Sequence, residues 1–230
     1  MKTISKKILF RKDVFKPTGT SDLLYKSVLK YTKQSSKILD LGCGSGYVGI
    51  SIAKNLSNKT QYYFSDISED AVKLTKNNCK SNNINSIVKK GSLFKPWKEY
   101  KFDLIVNDVS GISENIAKIS PWYNKNIPIK AGKDGTKLTL NLLDQSPNFL
   151  NKGGKVFFPL ISLSNYKKVL SFAKKKFNKV KKIGSKEWPL PIEMYKYQKI
   201  INKLKKDRII FIKKKFGMII FKTDIYLATL

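Results

Sequence analysis

Asp40-Leu41-Gly42-Cys43-Gly44-Ser45-Gly46 constrains this chain more than any other stretch. It is entered from Ser36-Lys37-Ile38-Leu39 and left through Tyr47-Val48-Gly49-Ile50, so an aliphatic run ends in alternate glycines and an amphipathic segment follows at once. The pattern predicts a strand, a tight turn and a helix start. Glycines here let the backbone pass close to a ligand and take positive φ, and the helix that follows offers unpaired amides. Asp40 adds a carboxylate at the carboxyl end of the strand, where open α/β sheets bind ligands. Position 47 is Tyr47, so the glycines depart from the Gly-x-Gly-x-x-Gly spacing of nicotinamide folds, which weighs against a dinucleotide.

A second carboxylate arrives where a nucleoside would need it. Gln61-Tyr62-Tyr63-Phe64-Ser65-Asp66 reads as an aromatic strand ending in an acid, about 20 residues after Gly46, the spacing at which an acid meets ribose hydroxyls. Asp66 is therefore the expected ribose ligand. Ser68 then caps a helix with Glu69 and Asp70 in its first turn and Ala71, Val72, Thr75 and Cys79 on one face.

These residues, with Phe102-Asp103-Leu104-Ile105-Val106-Asn107, resemble the class I S-adenosylmethionine-dependent methyltransferases. Three further stretches look like the release-factor and ribosomal-protein glutamine N-methyltransferases and their small-domain relatives. Val14-Phe15-Lys16-Pro17-Thr18-Gly19-Thr20-Ser21 is similar to their Pro-containing segment that closes over the cofactor, Asn107 follows the fourth strand, and Ala131-Gly132-Lys133-Asp134-Gly135-Thr136 resembles the turn that starts their next helix. The resemblance implies an α/β fold: a single Rossmann-like, seven-stranded, mostly parallel sheet with an antiparallel last strand and helices on both faces. The cofactor that the resemblance implies is S-adenosylmethionine. The cofactor residues it implies are Thr18, Thr20, Asp40, Gly42, Gly44, Gly46, Asp66, Ile67, Ser92, Leu93 and Asn107. Ser92 stands where the family often has an acid touching the adenine amine, and can only hydrogen-bond it neutrally.

The chain departs from the family's Asn-Pro-Pro-Tyr after the fourth strand, reading Asn107-Asp108-Val109-Ser110 instead. An amide nitrogen has a delocalised lone pair, so the family's turn works by positioning it and accepting its hydrogens. Asn107 and the carbonyl of Asp108 retain that capacity. The Asp108 carboxylate either takes the acceptor's proton or only orients the turn. With the tyrosine gone, Ile119-Ser120-Pro121-Trp122-Tyr123-Asn124 supplies a replacement wall, within an irregular stretch from about 120 to 135. Trp122 and Tyr123 are then either substrate contacts or loop anchors.

Length and composition bound the remainder. At 230 residues and 41% hydrophobic, the chain is expected to form one methyltransferase domain over 1–230, with a leader over 1–20 and an inserted helix around 190–206. The Lys-rich N-terminus precedes only the short Ile8-Leu9-Phe10, and no run of 18 apolar residues follows, so no secretory signal, membrane span or membrane partner is expected and a cytoplasmic location is. Cys43 and Cys79 lack metal-ligand spacing and the chain has no histidine, so a metal site is not expected and His-based catalysis is excluded. All but two of the 46 basic residues are lysines, against 16 acids. That excess reads either as AT-rich coding bias with a solvated surface or as a salt-dependent RNA site.

A coarse pass expects a helix near 20–33 burying Leu24, Val28 and Tyr31, strands near 36–41, 60–66 and 155–160, and a helix opened by Ser164. It also expects a strand near 179–185, then Trp188-Pro189-Leu190-Pro191, a helix with Met194, Tyr197, Ile201 and Leu204 on one stripe, and strands near 208–214 and 217–228 joined at Phe216-Gly217. Glu187 and Trp188 stand beside that insertion. The expected activity is methylation of a protein amide or similar planar nitrogen. The alternatives are an rRNA or tRNA methyltransferase and a non-catalytic cofactor- or RNA-binding scaffold.

Overall fold

The structure is a computed structural model and describes residues 7–32, 37–56 and 59–230. The expected strand start at Ser36, the end of the first helix at 33 and the first six residues of the leader lie outside the described residues. Strands β1 (Lys37–Leu41), β2 (Gln61–Asp66), β3 (Ser86–Lys90), β4 (Phe102–Asn107), β5 (Leu150–Ile161), β6 (Lys179–Pro189), β7 (Lys213–Lys215) and β8 (Met218–Thr229) form one sheet. Its order is β3-β2-β1-β4-β5-β8-β6, with the three-residue β7 added on β8. Strands β1 to β5 pair in parallel, whereas β8 runs antiparallel to both β5 and β6. The expected seven-stranded, mostly parallel sheet is present, with β7 as an addition.

Alternation along the strands divides the core into two layers. Leu39, Leu41, Tyr63 and Ile105 pack on α5 (Lys137–Gln145) and α6 (Tyr166–Lys176). Ile38, Tyr62, Phe64, Leu104 and Val106 pack on α1 (Gly19–Tyr31), α2 (Tyr47–Ala53) and α3 (Glu69–Ser81). A third cluster joins Ile112 and Ile116, at α4 (Glu114–Ile119), to Met194, Ile201 and Leu204 of a 3-10 turn (Ile192–Tyr197) and α7 (Gln198–Lys206).

Local chemistry sets the helix starts beside the site. Thr18 caps α1 by accepting from the Thr20 amide, while Ser21 Oγ accepts from the Thr18 amide, a reciprocal capping box. Ser68 caps α3 as expected, accepting from the Ala71 amide at 3.3 Å. Helix α2 has no side-chain cap: Gly46, at φ 76°, turns the chain and its carbonyl accepts from Ile50.

Several expectations need correction. Tyr31, the last residue of α1, is 37% exposed, with the Lys181 ammonium of β6 5.5 Å from its ring. Ser164 spends its hydroxyl on the Ile161 carbonyl, and Asn165 caps α6 by accepting from Lys168. Residues 208–212 form no strand; Ile209 and Ile210 turn back to the Leu204 carbonyl, so pairing begins only at Lys213. The stripe on the inserted helix is shorter than expected, with Tyr197 only half-buried beside the buried Met194, Ile201 and Leu204.

Candidate active site

One cavity of about 450 Å³ opens at the carboxyl ends of β1, β2 and β4, beneath the leader and the irregular stretch after α4. Its floor is the glycine turn. Gly42 (φ 78°) and Gly44 (φ 55°) take backbone conformations that a side chain resists. A Cβ on Gly42 would also stand 2.4 Å from Val109 Cγ1, so this turn and the one after β4 touch only because no side chain intervenes.

Of the residues singled out from the sequence, Thr18, Thr20, Asp40, Gly42, Gly44, Asp66, Ile67, Ser92, Leu93, Asp108, Trp122 and Tyr123 line the cavity. Gly46 and Asn107 do not. Gly46 lies below the floor, against Ile50 and Thr75. Asn107 is buried, and its side-chain oxygen accepts from the Val109 amide at 2.9 Å, so it shapes the turn that presents Asp108, Val109 and Ser110. The Thr18 and Thr20 hydroxyls are committed to the fold, the first as the α1 cap and the second to Thr223 Oγ1 at 3.1 Å.

The charge of this cavity opposes that of the chain. Asp13, Asp40, Asp66 and Asp108 face one lysine, Lys130, in a protein of net charge +30. Asp40 Oδ2 accepts from the Gly49 amide at 2.8 Å, while Oδ1 is buried with no hydrogen-bond partner among the described residues. Burial, with Asp108 and Asp66 adding, pushes its carboxyl up to about 7. Asp66 accepts from the Gly44 amide at 3.0 Å and the Ser68 amide at 2.9 Å, and burial still raises it. Asp108 Oδ2 accepts from Ser21 Oγ at 2.6 Å, and burial brings it to about 6. An orphaned buried acceptor beside further carboxyls calls for a ligand that is cationic and rich in donors.

The opposite wall is aromatic. Tyr123 packs on Phe15 with ring centroids 5.0 Å apart and donates to Ser110 Oγ, and Trp122 meets Phe221 edge-on at 5.7 Å. The leader is tied down by Asn78, which exchanges hydrogen bonds with the Leu9 backbone and also donates to the Ser45 carbonyl in the glycine turn. Sequence reasoning missed Phe221 and did not commit to Trp188. These two pair across β6 and β8, and the Trp188 indole lies where a Cβ on Gly19 would stand, within 2.3 Å. Only antiparallel register brings them to the cavity, and no local pattern encodes that register. Glu187 points to the other face of the sheet, paired with Lys213 at 2.6 Å.

A sheet in this order, with a glycine turn and acids at its carboxyl edge, defines a class I methyltransferase. The methyltransferase small domain matches residues 9–108. The chain is 30% identical over 181 residues to a Methanocaldococcus jannaschii protein provisionally assigned to the protein N5-glutamine methyltransferases, covering 78% of this chain and 85% of that one. It is 32% identical over 160 residues to the release factor glutamine methyltransferase of Clostridium botulinum, covering 65% of this chain and 56% of that one. The chain thus spans little more than half the length of this release-factor relative. In fold it is similar to a ribosomal protein L11 methylase of Lactobacillus delbrueckii, with a TM-score of 0.56 at 17% identity, covering 91% of this chain and 80% of that one. A Thermus thermophilus 16S rRNA N2 G1207 methyltransferase gives a TM-score of 0.55 at 14% identity, covering 93% of this chain and 43% of that one. The chain belongs to the methyltransferase small-domain family and is an S-adenosylmethionine-dependent methyltransferase. Among the described residues no group of acids or cysteines is arranged to hold a metal, and no helix is long and apolar enough to cross a membrane.

Proposed function

We propose that this protein methylates a planar side-chain nitrogen of a protein, the amide of glutamine above all. The observation that carries the reading is the acid-lined cavity in a basic chain, which fits a sulfonium cofactor that also bears an ammonium group. S-adenosylmethionine, when bound, supplies an electrophilic methyl group. Asp40 Oδ1 would take the ammonium, which satisfies the orphaned oxygen and returns the carboxyl to its ionised form. Asp66, already oriented by two amides, keeps lone pairs for the ribose hydroxyls. Ile67 and Leu93 offer apolar surface for the adenine, and Ser92 a neutral hydrogen bond.

The acceptor side belongs to the turn after β4. Asn107 fixes that turn, so the Asp108 carbonyl and carboxylate are the groups left to receive the hydrogens of an incoming NH₂. Ser21 holds the carboxylate in place, and at neutral pH it is ionised and able to take the proton that the nitrogen sheds. Trp122 and Tyr123 flank the approach, replacing the family's tyrosine wall. A protein acceptor is favoured over RNA by the archaeal relative, matched along most of both chains. A cytoplasmic location accords with such an acceptor.

Radiolabelled S-adenosylmethionine supplied with the enzyme to a fractionated lysate tests this directly. Label entering protein, and lost with Asp108→Ala, is expected. Label entering only RNA or small molecules overturns it.

A further inference from the structure

Beyond the methyl-transfer cavity, the back of the same sheet carries a second concavity, of about 520 Å³. Chain alternation places the two back to back: Ile161, Trp188 and Phe221 line the first, and their neighbours Ser162, Glu187 and Lys222 line the second. Lys167, Lys205, Arg208, Lys213 and Lys222 face Glu187, the lone acid of this lining. Lys213 pairs with Glu187 and Lys222 with Asp224, while Lys167 lies 4.7 Å above the Phe211 ring. Lys205 and Arg208 have no acidic partner among the described residues.

Two details separate this cleft from the general excess of lysine. The chain holds only two arginines; Arg11 is paired with Asp13, and the other, Arg208, stands here. A lysine-rich coding bias does not place an arginine, and a guanidinium fork suits phosphate oxygens. Three residues beyond Lys213, a member of this lining, β7 and β8 join through Phe216 and Gly217, both at positive φ (49° and 72°). That turn favours glycine or asparagine, yet it carries a phenylalanine 85% exposed, directly after Lys213-Lys214-Lys215. The Lys215 ammonium lies 5.3 Å from that ring, and cations in a groove near an exposed aromatic are the parts that hold a phosphate backbone and stack on an unpaired base.

We propose that this cleft, with the Phe216 tip, docks single-stranded RNA. The RNA is a platform and not the methyl acceptor, because the sheet separates it from the cavity. The enzyme would thus meet its acceptor protein on a ribonucleoprotein. The docking is independent of which nitrogen is methylated.

The test is fluorescence anisotropy of the full chain with a labelled RNA of about 20 nucleotides, across about 50 to 200 mM salt. The triple variant Lys205→Ala, Arg208→Ala, Lys213→Ala should weaken binding at least about tenfold, and lower the slope of log affinity against log salt by about 2. Phe216→Ala should weaken binding several-fold with the slope unchanged. A charge-matched control, Lys73→Ala, Lys76→Ala, Lys80→Ala, lies on α3 at the opposite edge of the sheet and should change affinity far less. S-adenosylhomocysteine binding, measured calorimetrically on each variant, should match the parent and so report intact folding and an intact cavity. An equal loss in the control overturns the proposal, as does unchanged binding in the cleft variants. Binding of the parent to phosphatidylglycerol vesicles as tightly as to RNA, lost in the same cleft variants, would assign the cleft to a membrane surface and overturn it too.

Discussion

Asp40 has one oxygen on the Gly49 amide and the other buried without a partner, and its carboxyl is raised to about 7. Between about pH 4 and 7 the folded chain therefore holds a proton that the unfolded chain has released, so this group's contribution is full at low pH and lost as pH rises through about 7. Asp108, raised to about 6, acts with the same sign. Asp66, raised by burial, adds in the same direction, and the chain has no histidine. The ligand-free protein should accordingly lose melting temperature between pH 5 and 8, and Asp40→Asn should flatten that loss, as a thermal scan at each pH would show. A melting temperature that rises over this window would contradict the assignment. If Asp66 takes the ribose hydroxyls as proposed, its replacement by Ala should cost about 10- to 100-fold in S-adenosylhomocysteine affinity by calorimetry. That Asp66 ends β2 at the cavity was legible because strand, acid and spacing are local. That Asn107 lies outside the cavity lining was not, since only the folded turn reveals that the Val109 amide claims its oxygen.

At the scale of elements, the glycine turn, β2 and the Ser68 cap follow from periodicity and capping chemistry and form where the sequence places them. The C-terminal third was harder to read. A run of lysines and isoleucines fits strand or coil equally, and what ends pairing before Lys213 is the turn of Ile209 and Ile210 onto Leu204. The six-residue α4 was also missed, being too short to show a period. The contact of α1 with β6 is equally non-local, and it is testable. Gly19→Val would drive a side chain into the Trp188 ring, and overpacking of this kind costs about 1–3 kcal/mol. Chemical denaturation should show that loss. Trp188 lines the cavity beside Phe221 and away from the glycine turn, so under the proposed function the KM for the acceptor should rise more than the Kd for S-adenosylhomocysteine.

The whole molecule sets a strongly basic surface around an acidic cavity. A net charge of +30, with 46 basic side chains against 16 acids, leaves self-repulsion largely uncompensated. Raising salt from about 50 to 500 mM should raise the melting temperature, because screening relieves that repulsion. Inside, Asp40, Asp66 and Asp108 line one cavity, and the proposed function has a cationic cofactor find its counter-charge there. The acceptor is the central claim, and its identity can be read from the chemistry of the product. Acid hydrolysis of protein labelled with tritiated methyl groups should release the label as methylammonium, volatile as methylamine once the hydrolysate is made alkaline, the product of an N-methylated glutamine side chain. Label retained on an acid-stable methylated lysine or arginine, or recovered in nucleosides, would contradict the account.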